Sequence, residues 1–210
     1  MILTPVAPGE LFSLLGAFAS RLCGRHGQAV FARLRRSHAE RAAGARAEAH
    51  LLRAMRLGRA LGLTMRPGSP TRNFGWDGRI MRSGTEAYVL LHEIAHYQLA
   101  PLTRRRRREF GLGPGPETGC RGAAKRAALV TDIVREREEA MASLLGILWE
   151  VELGQPALAS FLDQNWLEGA GRPGAAVHFE TTLAALISTG LVTARGRPLL
   201  CLRLSMRNGT

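Results

Sequence analysis

Apolar residues recur along most of this chain at steps of three and four, the period that places them on one face of an α-helix. The pattern predicts a helix over Gly9–Leu22, a break over Gly24–Gly27, and a helical stretch over residues 28–62. In that stretch Val30 and Leu34, Leu51, Ala54 and Met55, then Leu57 and Leu61 hold the period, with an interruption near Gly44 and a weak point near Gly58. The run Arg66-Pro-Gly-Ser-Pro-Thr-Arg-Asn73 is rich in turn formers and marks a boundary. A short extended stretch is expected around Arg79–Arg82. The next helix has punctuation at both ends: Ser83 and Glu86 have capping-box spacing, and Pro101 cannot continue the backbone ladder. Residues 102–122 read as Gly- and Pro-rich loop, followed by one long helix from Ala123 to Leu153 that Gly154 and Pro156 stop. Shorter helices are expected at 157–167 and 176–189, and a strand at Leu199–Leu204. The fold class is therefore mainly α with minor β.

Charge adds a division to this picture. Of the 210 residues 46% are hydrophobic, enough for an ordinary core. Twenty-nine basic residues stand against 17 acidic ones, a net charge of +12, and all the basic residues but Lys125 are arginine. Residues 1–70 carry 11 Arg and 3 acids, residues 71–110 carry 8 Arg and 4 acids, and residues 111–210 carry 10 of each sign. The chain thus reads as a basic helical N-terminal arm over 1–70 and a helical core over 71–210. No apolar run approaches the roughly 18–20 residues of a membrane span, and no basic residue precedes the apolar stretch Leu11–Ala19 as a secretory signal requires. Cys23, Cys120 and Cys201 are odd in number and far apart, against both a zinc–thiolate site and a disulfide framework. A cytoplasmic location is the expectation.

One motif carries chemistry. His92-Glu93-Ile94-Ala95-His96 is an HExxH sequence inside the helix that ends at Pro101. Positions i and i+4 stack one turn apart, so both imidazoles can face one metal ion. Glu93 beside them can accept a proton from a water polarised by that ion, or join the ligands. Tyr88, Val89, Leu90, Leu91, Ile94, Ala95 and Leu99 are apolar enough to bury the helix. HExxH also occurs by chance, and two histidines do not complete a site. Glu136 and Glu139 are the strongest candidates for a further ligand, sharing one helical face with Asp132; Glu138 is nearby, and a solvated charged face is the plain alternative for all four. His178 reads as structural, and His26, His38 and His50 lie in the basic arm. The run Arg104, Arg105, Arg106, Arg107 and Arg108 is either solvated or a steering surface for RNA or an acidic protein. Gly111, Gly113 and Gly115 lack the Lys-Ser or Lys-Thr of a phosphate loop.

These residues resemble the elongation factor P hydroxylases. Arg79-Ile80, the HExxH with Tyr97 behind it, Ala100, Arg104-Arg105 and Glu109-Phe110-Gly111 fall at the family's distances without a gap. The family's ExxE pair ahead of a Gly-x-Pro turn is similar to Glu136 and Glu139 ahead of Gly154-Gln-Pro156. Its Asn-Leu-Glu-Gly element is similar to Asn165-Trp-Leu-Glu-Gly169, with one residue inserted. The likeness covers about residues 79–190 and departs at Leu112-Gly-Pro-Gly-Pro-Glu-Thr-Gly119, where the family has aromatic residues and an Asp-Gly-Arg element. It implies hydroxylation of the modified lysine of elongation factor P, or of another protein substrate, at a metal centre that activates oxygen. C–H hydroxylation needs a metal that changes oxidation state, so the implied ion is iron, held by His92, His96 and one of Glu136 or Glu139. A dinuclear site built on Glu93-x-x-His96 and Glu136-x-x-Glu139 is the lesser variant, with only one Glu-x-x-His pair in view.

Two other readings use the same residues. A zinc metallopeptidase would take Glu93 as general base, the histidines as Zn²⁺ ligands and a downstream glutamate as the third ligand. A non-enzymatic RNA- or ribosome-contacting module would rest on the basic arm, where few aromatics interleave with the arginines.

Overall fold

The computed structural model describes residues 8–70, 74–115, 118–168 and 173–199. It is mainly helical, 61% helix against 5% strand, as the apolar periodicity requires. No helix among the described residues is long and apolar enough to cross a membrane. In chain order the elements are α1 (Pro8–Ser20), α2 (Arg25–Leu34), α3 (Gly44–Ala60), β1 (Thr64–Arg66), β2 (Ile80–Arg82), α4 (Ala87–Leu99), α5 (Leu102–Arg105), α6 (Arg121–Arg126), α7 (Asp132–Leu153), α8 (Ala157–Asp163) and α9 (Pro173–Ser188). The strand expected at Leu199–Leu204 lies, after its first residue, outside the described residues.

Of the described residues, those up to Ala43 and from Ser143 to Pro198 form one compact unit, and Gly44–Ala142 with Leu199 form the other. The division expected at residue 70 coincides with neither boundary. The expected arm is shared out: α1 and α2 pack with α9 in the first unit, whereas α3 packs on α4 in the second.

The first unit is held by aromatic packing. Phe18, Phe31, Phe161 and Phe179 are all essentially sealed from solvent. Their ring centroids lie 4.8 to 6.4 Å apart, mostly edge to face, the arrangement ring quadrupoles favour. Trp166 stacks on Phe161 and donates its Nε1–H to Ser143 Oγ at 2.8 Å, so the indole is buried with its polar atom satisfied. Glu180 of α9 accepts from Gly24 N at 2.6 Å and so supplies the anion that the α2 N-terminus attracts. Glu150 is buried beside Arg41, whose guanidinium is shared with Asp163 and Ser160.

The second unit is built on the α3–α4 pair. Ala54, Leu57 and Gly58 of α3 are buried, as are Leu90, Leu91, Ile94 and Ala95 of α4. Gly58 interrupts good helix formers for a packing reason: a Cβ there would lie 1.9 Å from Met65 Cε and 3.1 Å from Ile94 Cδ1. β1 and β2 pair in parallel, Met65 opposite Met81, and both of those side chains face inward.

Three expectations need correction. The capping box at Ser83 and Glu86 does not form. Glu86 is itself the N-cap of α4 and makes no side-chain cap, while Ser83 Oγ donates to Arg66 O across the two strands. Residues 102–122 hold α5, a tight turn at Arg108–Gly111 and the start of α6. The long helix from Ala123 is two helices, because Leu129 N leaves the helical ladder to bond Gly111 O at 2.8 Å.

Candidate metal centre

The i, i+4 spacing on α4 stacks the two imidazoles with centroids 4.7 Å apart. Glu139, in the second turn of α7, completes a triangle with them. His92 Nε2 lies 3.0 Å from His96 Nε2 and 3.2 Å from Glu139 Oε2, and His96 Nε2 lies 3.3 Å from the same oxygen. Donors held 2.0–2.2 Å from one small divalent ion, on one face of it, sit roughly 3.0–3.4 Å apart. The triangle therefore has the size a single ion requires, and two imidazoles with one carboxylate make a donor set that suits iron or zinc. Among the described residues this is the group of histidines and acids drawn together so closely.

The candidates are now sorted. His92, His96 and Glu139 converge. Glu136 is exposed and outside the group, and Asp132 is exposed and paired with Arg135. Glu138, which the helical-face argument set aside, is buried against the site. Glu93 lies outside the triangle and lines a small cavity together with Val89, Thr85, Gly75, Thr118 and Glu109. His178 is exposed, in the other unit, and stacks on Trp166.

Charge is tightly coupled here. Burial alone would lower His96, but the Glu139 and Glu138 carboxylates, with Glu93 behind them, push it up to about 10. Burial would raise Glu139, yet the His96 and His92 rings hold it well below the usual carboxylate range. Burial lowers His92 in spite of its hydrogen bond to Glu139. An anionic carboxylate against two rings is the electrostatic setting in which a cation is welcome.

The segment after α4 reaches the site through Arg104 and Phe110 and closes α4 itself through Arg105. Arg105 is buried, donates to the carbonyls of Ala100 (3.0 Å) and Gln98 (3.4 Å), and lies over the Tyr97 ring, closing the α4 C-terminus. Arg104 ion-pairs with Glu138 and donates to Phe110 O at 2.7 Å. Only Arg106, Arg107 and Arg108 of the five-arginine run are exposed, and Arg108 rests on Phe74.

Glu109, Phe110 and Gly111 adopt left-handed backbone in succession, with φ of 44°, 53° and 70°. For the two non-glycine residues this costs about 1–2 kcal/mol each. The turn is held by Glu109 N to Trp76 O (2.9 Å) and by Gly75 N to Glu109 Oε1 (2.8 Å). It inserts the Phe110 ring between Trp76 (5.7 Å) and His96 (5.9 Å), stacked on both. Burial pushes the Glu109 carboxyl up, against the backbone N–H groups of Gly75 and Trp76 and the Thr118 hydroxyl.

Sequence reasoning missed Glu109, Phe110 and Trp76 as parts of the site. The Glu-Phe-Gly match to the hydroxylases touched two of them without giving them a role. Compared with known proteins, the chain matches no family model, no curated protein and no solved structure.

Proposed function

We propose that this chain is a metal-dependent, iron-using protein hydroxylase akin to those that act on the modified lysine of elongation factor P. The observation that carries the reading is the convergence of His92 Nε2, His96 Nε2 and Glu139 Oε2 within 3.0–3.3 Å. Further support comes from where the resemblance falls: of the residues that match the family in order, Phe110 stacks on His96, Arg104 pairs with Glu138 beside that ring, and Arg105 closes the C-terminus of the same helix. An iron ion there would supply the change of oxidation state that C–H hydroxylation needs and that zinc lacks.

The protein's own residues do the rest. His92, His96 and Glu139 would hold the ion from one side and leave its other positions open. Glu93 and Glu109 give the adjacent cavity two carboxylates, and Glu93, the more exposed of the two, would serve as the proton acceptor. Arg106, Arg107 and Arg108 offer an exposed positive surface, in the same unit, to an acidic protein or RNA partner. A cytoplasmic location belongs to the same proposal.

Metal analysis of protein purified without oxygen tests it. Near-stoichiometric iron with oxygen consumption, and one oxygen atom missing from elongation factor P of deletion cells by intact mass, is the expected result. Zinc alone, with peptide cleavage lost in Glu93→Gln, would overturn it in favour of the peptidase.

A further inference from the structure

A histidine that gives Nε2 to a metal carries its remaining proton on Nδ1, and a buried Nδ1–H needs an acceptor. His96 is 3% exposed, and its Nδ1 has no hydrogen-bond partner among the described residues. Glu138 is similarly buried, and its Oε1 is also without a partner. The two atoms face each other at 3.9 Å. The other oxygen of Glu138 is engaged by Arg104, which is itself tied to Phe110 O. The ring face of His96 is stacked on Phe110.

We infer that Glu138 is a positioning residue for His96: it accepts the Nδ1–H when Nε2 binds a metal, with Arg104 clamping the carboxylate and Phe110 fixing the ring plane. The inference rests on the metal-centre reading and adds to it the support behind one ligand. A closure of less than 1 Å turns the present 3.9 Å separation into a hydrogen bond. Neighbouring glutamates on α7 thus have separate tasks. Glu139 faces the ion position, and Glu138, one residue back, faces the far side of the same ring. Charge alone does not explain the arrangement, because Arg104 already neutralises Glu138 and the carboxylate still leaves one oxygen turned toward His96.

Co²⁺ titration of the full chain, followed by its visible d–d bands, tests this with a readout independent of catalysis. Glu138→Ala is expected to weaken Co²⁺ binding about 10- to 100-fold and to shift the band pattern. Glu138→Gln, whose amide oxygen can still accept from Nδ1–H, is expected to recover most of the affinity. Wild-type affinity with unchanged bands in Glu138→Ala overturns the inference and leaves the metal centre standing. A Gln variant as weak as the Ala variant also overturns it, by making Glu138 a ligand itself. If Glu138→Ala loses its far-UV circular dichroism, Arg104→Met is read in its place. Weakening with the same band shift supports the clamp, and unchanged binding overturns it. Wild-type protein that takes up no Co²⁺ overturns both the inference and the function it rests on.

Discussion

The two units solve the problem of burying polar groups in opposite ways. Residues 1–43 and 143–198 together carry 9 basic and 7 acidic groups, whereas residues 44–142 carry 18 and 10. The first unit closes on a cluster of phenylalanines and, among the described residues, admits one buried carboxylate, Glu150. The second buries His96, Glu109, Glu138 and Arg105 and stacks Trp76 on Phe110 and Phe110 on the His96 ring. Apolar packing sustains the one, while the other accepts left-handed backbone and coupled charges to keep a triangle of donors open. The aromatic cluster and the donor triangle thus lie in different units, and each unit should respond to a different perturbation.

The largest effect should come from breaking the aromatic cluster. Phe161→Ala removes a ring that meets Phe18, Phe31, Phe179 and Trp166, and is expected to cost about 3–5 kcal/mol in urea unfolding. A loss below about 1 kcal/mol would mean that this cluster is not what holds the first unit.

Next in size is a pH effect confined to that unit. Burial pushes Glu150 up to about 7, against the ordinary 4.5, because Arg41 is shared with Asp163 and Ser160 and only partly compensates. The folded state therefore binds the proton more tightly than the unfolded chain. Its stabilising effect is complete below pH 4.5 and is lost as pH rises through about 7, a decline on the order of 3 kcal/mol. Glu150→Gln should flatten that part of the stability–pH curve; an unchanged slope would assign it to other groups.

In the second unit, Gly78→Ala should cost about 1–3 kcal/mol. Gly78 has φ of 100°, and a Cβ there would meet Arg106 O at 2.5 Å, pushing the 108–111 turn away from Trp76. Loss of metal affinity in this variant, with no change at the site itself, would mark the turn as part of the site. The smallest effect belongs to Glu136→Ala. Exposed and outside the triangle, Glu136 should move stability by less than about 0.5 kcal/mol and leave Co²⁺ affinity unchanged. A tenfold loss there would reinstate it as a ligand.

What was legible in the sequence is what depends on local periodicity. The helices and the HExxH pair follow from the 3.6-residue repeat, which places positions i and i+4 together whatever else surrounds them; the same repeat put Glu136 and Glu139 on one face without choosing between them. What was hidden depends on partners distant in sequence. Glu138 lies about 100° around the helix from Glu139, so a face argument discards it, and only Arg104 and His96 arriving from other segments bury it. The break between α6 and α7 contains no glycine or proline, because it is made by Leu129 reaching Gly111. Glu109 and Phe110 are not residues that seek left-handed backbone, so nothing local announces their turn. The capping box failed for a related reason: its serine was needed by a strand too short to be seen.

The triangle has one more consequence, which concerns the chain rather than the reaction. His92 and Glu139 are 47 residues apart, and their donor atoms are 3.2 Å apart. An ion seated between them is a cross-link as much as a reagent, closing a loop whose confinement in the unfolded chain is worth about 4 kcal/mol on the loop-entropy model used for disulfides. A chelator would then act on this protein as a reductant acts on a cystine bridge, loosening the second unit before any question of turnover arises.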